Sequence, residues 1–112
     1  MKALVLSEHG DLDKLGLVKD KPVPQPGDSE VLVRVGASSF NYHDIFTVRG
    51  MPGIRVPLPV VIGLDIAGTV VEDAGEWKAG DRVMVNPLRA GIGLMGEMVD
   101  GGMEEYVVVS AD

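Results

Sequence analysis

Apolar and polar residues alternate cleanly from Glu30 to Gly36. Val31, Val33 and Val35 fall on one face and Leu32 and Arg34 on the other, a period of two that predicts a strand. Shorter apolar runs predict strands at Ala3–Leu6 and Leu15–Lys21, the second with Leu15 and Leu17 alternating and Lys19 exposed, joined by a turn over Ser7–Lys14. Pro22, Pro24 and Pro26 have no N–H to give a ladder, so the segment ending at Gly27 is an extended surface connector. The longest apolar stretch is Pro59–Glu72, around which the rest of the pattern is arranged. It reads as a buried strand interrupted once, with Val60–Ile62 before the Gly63-Leu64-Asp65 break and Ile66, Ala67, Val70 and Val71 after it. Gly63 and Gly68 bracket the break, where a bulge or a close backbone approach is expected. Asp81–Val85, with Val83 and Val85 inward, and Tyr106–Val109 complete the strands, and Asp73–Gly80 is a turn carrying the single Trp. The class is mostly β.

Helical spacing occurs once. Tyr42, Ile45 and Phe46 lie on one face of a predicted helix over Tyr42–Val48, with Asn41 suited to cap it and room for about two turns before Gly50. Met51–Pro59 is an ordered loop with Ile54, Val56 and Leu58 packed down. Asn86–Gly102 reads as a loop with one helical turn near Gly96–Met98. Within it, Gly91-Ile92-Gly93-Leu94-Met95-Gly96 satisfies G-x-G-x-x-G. That motif binds a dinucleotide only where a strand runs straight into the glycines and a helix starts on the third. Here Asn86–Ala90 intervene and Asp100-Gly101-Gly102 stops any helix, so the match is set aside in favour of a flexible loop.

Composition narrows the chemistry. The 112 residues suit one domain able to bury its own core, and a formal charge of −7 disfavours nucleic acid and anionic membranes as partners. The absence of cysteine removes disulfides, thiolate zinc sites and cysteine nucleophiles. The amino-terminal apolar run is too short for a signal peptide or a membrane span, and the chain is expected to be soluble and cytoplasmic.

Two places invite chemistry. Asn41, Tyr42, His43 and Asp44 follow a strand directly and open the helix, where polar and aromatic side chains could line a cleft. The plainer account makes Asn41 and Asp44 helix caps and leaves His43 in solvent. Asp65, between glycines and apolar residues, must be paired or hydrogen-bonded, and a satisfied structural role leads over a catalytic one. No metal site is expected, since His43, Asp44 and Asp65 together would give only one imidazole and two carboxylates.

The stretches MKALVL, PVPQPGDSEVLVRVGASSFNYHD, PLPVVIGLDIAGTVVE, WKAGDRVMVNP and DGGMEEYVVVSAD, in this order and over nearly the whole chain, resemble the amino-terminal GroES-like domain of the medium-chain dehydrogenase/reductase superfamily. The resemblance implies a GroES-like, partly open β-barrel with short helices over residues 1–112. In zinc-dependent members a Cys stands at the Asn41 position and a G-H-E motif at Gly63-Leu64-Asp65; both metal-binding positions are lost here, as Asn41 and Leu64. The cysteine cluster of a structural zinc, which would fall between Asn86 and Asp100, is lost too. The pattern looks like the zinc-free quinone oxidoreductase and enoyl reductase branch, which keeps an Asn at the Asn41 position. By that resemblance Asn41, Tyr42, His43 and Asp44 would face nicotinamide and substrate, Tyr42 or His43 would donate a proton, and Asp65 would lie behind them as support.

Members of that superfamily are about three times as long and hold NADPH in a Rossmann domain, which residues 1–112 lack. The connection after Glu72 is short and Asn86–Gly102 looks like a trimmed zinc lobe, so an excised or engineered domain is expected. It would have no cofactor of its own and would be inactive alone. The alternative is a noncatalytic scaffold or self-associating module, a homo-oligomer formed through apolar surface that a cofactor domain would otherwise cover.

Overall fold

The computed structural model describes residues 1–112. Strands β1 (Ala3–Leu6), β2 (Leu15–Val18) and β3 (Glu30–Ser39) precede the only α-helix, α1 (Tyr42–Arg49). After it come β4 (Val60–Val61), β5 (Asp65–Val70), β6 (Arg82–Val85), β7 (Leu88–Arg89), β8 (Gly93–Leu94) and β9 (Tyr106–Ser110). All pairings are antiparallel and form three sheets, ordered β2-β1-β4, β6-β5-β3-β9 and β7-β8. This is the mostly β architecture with an open barrel that the pattern and the resemblance led us to expect. No helix is long and apolar enough to cross a membrane.

β3 is the central strand, with Val33 opposite Val70 on one side and Val107 on the other. Val31 and Val33 join Ile66, Val70, Met95, Val107 and Val109 in one buried cluster. Leu32, expected on the outer face, is buried as well. The strand runs three residues beyond its alternating stretch. A register shift between Val35 and Ala37 absorbs Gly36, after which Ala37, Ser38 and Ser39 pair with Ala67, Ile66 and Asp65. Small residues past a bulge carry no two-residue hydrophobic period, so pairing continues where the pattern stops.

The Pro59–Glu72 stretch is not one interrupted strand. Val60 and Val61 pair with β1, whereas Asp65–Val70 pairs with β3 and β6, so the break at Gly63-Leu64 is where the chain changes sheets. Val60 and Ile62 belong to a second cluster with Leu6, Val48 and Val56, against which Leu15 and Leu58 pack. Ile54 points to solvent instead. β2 ends at Val18, short of the expected Lys21, because its ladder with β1 runs out at Ala3 opposite Val18. The turn before it contains a short 3-10 helix, Leu12–Lys14.

Asn86–Gly102 departs furthest from expectation. It forms the small β7-β8 hairpin and then a tight loop closed by a Met95–Val99 bridge. No helix forms near Gly96, whose φ of 79° is left-handed and whose N–H bonds Val99 O at 2.7 Å. Gly91 and Gly93 belong to the hairpin, so no helix N-terminus stands behind the glycine motif.

Where this loop returns to β1, Glu104 is buried, its side chain 1% exposed. Lys21 Nζ lies 3.2 Å from Glu104 and 3.1 Å from Asp100, yet neither Glu104 oxygen has a hydrogen-bond partner. Burial pushes the Glu104 carboxyl up to about 7, more than the shared Lys21 can offset. Lys21 itself is raised: burial opposes its charge, but Asp100 and Glu104 outweigh that. A carboxyl raised on folding makes the folded chain bind more protons than the unfolded one between the ordinary glutamate range and about 7. Stability therefore falls as pH rises through that window. Urea denaturation is expected to show a loss of about 1–3 kcal/mol between pH 5 and 8, flattened in Glu104→Gln.

Candidate active site at the start of the helix

At the end of β3 the chain turns through Phe40 into α1, and the first residues of that helix are fixed by reciprocal caps. Asn41 Oδ1 accepts the His43 N–H at 3.0 Å, and Asp44 Oδ2 accepts the Asn41 N–H at 2.8 Å. The Asn41 amide also reaches across to β5, where Nδ2 donates to Asp65 Oδ2 at 3.3 Å beside the Ser39 hydroxyl, which donates to the same oxygen at 3.3 Å. With oxygen committed to a backbone donor and nitrogen to a carboxylate, the orientation of the Asn41 amide is determined. Asp65 is half-buried and satisfied by these partners, and Ser38 Oγ donates to its backbone oxygen at 2.9 Å.

Asp44 differs from its neighbours. It is 2% exposed, and its second oxygen accepts the Gly63 N–H at 3.2 Å. Burial raises its carboxyl, an effect opposed by those two backbone donors. Its carboxylate ties the start of α1 to the sheet change at Gly63. The structure therefore turns this side chain inward to a positioning role, rather than out with Asn41, Tyr42 and His43.

Tyr42 is 80% exposed, with Phe40 and Phe46 also presenting apolar surface. His43 is not free in solvent. Its Nε2 bonds Glu97 Oε2, and its ring meets Phe46 edge to face with centroids 6.5 Å apart. Thr47 Oγ1 donates to His43 O at 3.1 Å, and the other histidine, His9, bonds Thr47 O at 2.9 Å. An open cleft of about 250 Å³, lined by Ser38, Ser39, Asp65, Ile66, Met84 and Val85, lies alongside. A more enclosed apolar cavity of about 190 Å³, lined by Trp77, Val83 and Leu88 among others, shares Met84 and Val85 with that cleft but contains none of Asn41, Tyr42, His43, Asp44 and Asp65.

Glu97 is absent from the sequence reading. Its one signal was a lone carboxylate in the apolar run Leu94-Met95-Gly96-Glu97-Met98-Val99, a pattern that suggests a buried, paired charge. The donor set does not fit zinc. Both Asp44 oxygens hold backbone N–H groups, His43 Nε2 is committed to Glu97, Asn41 offers an amide, and no three His, Asp or Glu side chains converge.

Residues 27–112 match the model of the alcohol dehydrogenase GroES-like domain. The synaptic vesicle membrane protein VAT-1 homolog of Mus musculus is 40% identical over 89 residues, covering 76% of this chain and 22% of its own length. The quinone oxidoreductase of Lama guanicoe is 33% identical over 114 residues, 98% of this chain and 31% of its own. The chloroplastic NADPH-dependent alkenal/one oxidoreductase of Arabidopsis thaliana is 34% identical over 113 residues, 97% of this chain and 29% of its own. A thermostable alcohol dehydrogenase from Pyrobaculum aerophilum superposes with a TM-score of 0.84 at 30% identity, covering 99% of this chain and 39% of that structure. The chain thus spans less than a third of the length of these curated relatives. With its mostly β fold and the matched segment running from the proline connector through β9, the chain belongs to the alcohol dehydrogenase GroES-like domain family of the medium-chain dehydrogenases and reductases.

Proposed function

We propose that this chain is the substrate-side domain of a zinc-independent, NADPH-dependent reductase of quinones or enones, working against a Rossmann domain. One observation carries the reading. The side chain at the family's metal-ligand position is an amide whose oxygen caps α1 and whose nitrogen holds Asp65. Asn41 orients the carbonyl-bearing substrate, Tyr42 and His43 offer the proton, and Asp44 and Asp65 hold the corner from behind.

NADPH would supply the hydride and would be held through its pyrophosphate by the Rossmann domain; the glycine motif of this chain lies on a hairpin. The exposed Phe40, Tyr42 and Phe46 suit a planar substrate and an opposing cofactor domain. This use of the apolar surface favours the reductase reading over a self-associating scaffold.

The test joins residues 1–112 to the cofactor domain of a quinone oxidoreductase and follows NADPH oxidation with menadione or a simple enone. Turnover unchanged by a chelator is expected, with none from the 112-residue chain alone. A folded chimera that binds NADPH yet reduces neither compound would sink the reading, and chelator-sensitive alcohol oxidation would replace it with a zinc enzyme.

A further inference from the structure

We propose that Glu97 is the positioning residue for His43, holding its imidazole by Nε2 so that Nδ1 presents the proton to the substrate. This rests on the reading of the chain as a reductase domain.

The placement of Glu97 is unusual for a carboxylate. Its side chain is 9% exposed in a chain of net charge −7, and its carboxylate has one partner, the His43 ring. The loop around it is rigidly built. The Gly96 N–H bonds Val99 O at 2.7 Å, Met98 N–H bonds Leu94 O at 2.9 Å, and Met95 is in the core. The loop also lies with Gly96 and Gly101 packed on the Gly63 backbone, whose N–H is held by Asp44 at the start of α1. The carboxylate and the helix start are thus anchored to the same glycine.

From the other side, His43 is held by the Asn41 cap through its N–H and by Phe46 against its ring. Its Nδ1 has no hydrogen bond within the chain and is not sealed from solvent. A ring fixed at one nitrogen by a buried carboxylate and open at the other is the arrangement a general acid needs.

In an enone reduction the balance is complete. As hydride from the dihydronicotinamide forms a C–H bond at the β-carbon, the C=C electron pair moves toward the carbonyl oxygen. The Nδ1–H bond of the imidazolium breaks to deliver the proton there, leaving a neutral ring with its Nε2–H on Glu97. Because the His43 side chain is 25% exposed, water can return the proton between turnovers.

The first test needs no activity. In imidazole 1H–15N spectra of the 112-residue chain, the His43 Nε2–H is expected as a slowly exchanging low-field resonance that Glu97→Gln abolishes while His9 is unchanged. A His43 signal that is identical in the two proteins overturns the proposal. The second test uses the chimera with a cofactor domain. Glu97→Gln is expected to lower kcat for the enone 10- to 100-fold with KM within about twofold, and His43→Gln to do the same. The double variant should lose no more than either single, since the two side chains act as one unit. Glu97→Asp, which keeps a carboxylate, should recover part of the rate. If His43→Gln lowers kcat and Glu97→Gln does not, positioning by Glu97 is refuted while the reductase reading stands. If the spectra show the contact but neither variant alters kcat, the proton-donor role fails and the inference with it.

Discussion

Gly101→Ala is expected to lose about 3 kcal/mol or more of stability, seen as a fall of roughly 15 °C in melting temperature. A Cβ at this position would lie 2.0 Å from Gly63 O, 2.7 Å from Gly96 Cα and 2.9 Å from Gly63 C. All three are backbone atoms, so no side-chain rotation relieves the clash. The obstruction cannot be met by sliding the strands apart either. Gly101 N–H donates to Val61 O and Gly102 N–H donates to Gly63 O, both at 2.8 Å, and separation would break both bonds. Gly16→Ala is the control, since a Cβ there meets nothing within 4 Å. It should remain within about 0.5 kcal/mol of the parent. Equal melting temperatures for Gly101→Ala and the parent would mean that the Gly63–Gly101 approach is looser than described. Because this contact also seats the loop carrying Glu97, the variant should lose the His43–Glu97 bond even where it still folds.

Asp44→Ala should cost about 3–4 kcal/mol, through a different mechanism. Removing the carboxylate leaves the buried Gly63 N–H and the part-buried Asn41 N–H without acceptors. Each such orphan costs about 1–3 kcal/mol. Asp44→Asn keeps one acceptor oxygen and should cost about half as much. Urea denaturation measures the difference, and amide hydrogen exchange locates it. The Asn41 and Gly63 amides should exchange faster in both variants, with more distant β9 amides following only the global loss. If Asp44→Ala were as stable as the parent, the tie between α1 and the sheet change would be dispensable. Glu104→Gln provides a contrast within the same chain. Glu104 is a buried carboxylate that faces only the Lys21 ammonium, 3.2 Å away, and because burial raises its carboxyl to about 7 its replacement should cost less at neutral pH than the loss of Asp44.

The parts of the candidate site that could be read in advance are those made by near neighbours in the chain. Asn41 announces a cap because its side chain can reach the N–H two residues on, and Asp44 completes the reciprocal contact three residues on. Gly68 announced a close approach, and a Cβ there would indeed lie 2.3 Å from Arg34 O. Asp65 was expected to be a satisfied carboxylate, and Ser39 and Asn41 satisfy it. Glu97 was beyond reach by the same reasoning. It meets His43 across 54 positions of chain, and nothing in the Leu94–Val99 run names its partner.

Alternation, helical spacing, proline and glycine by themselves determined the mostly β class, the strand over Glu30–Gly36 and the capped helix. Those features depend on backbone preferences and on which face of a short element is apolar, properties held within a few residues. The tertiary structure alone decided that Pro59–Glu72 serves two sheets, that Asp44 turns inward while Tyr42 remains outside, and that a distant carboxylate grips His43. Each of these outcomes depends on two segments far apart in sequence meeting at Gly63, where the absence of side chains lets three stretches of backbone pack against one another.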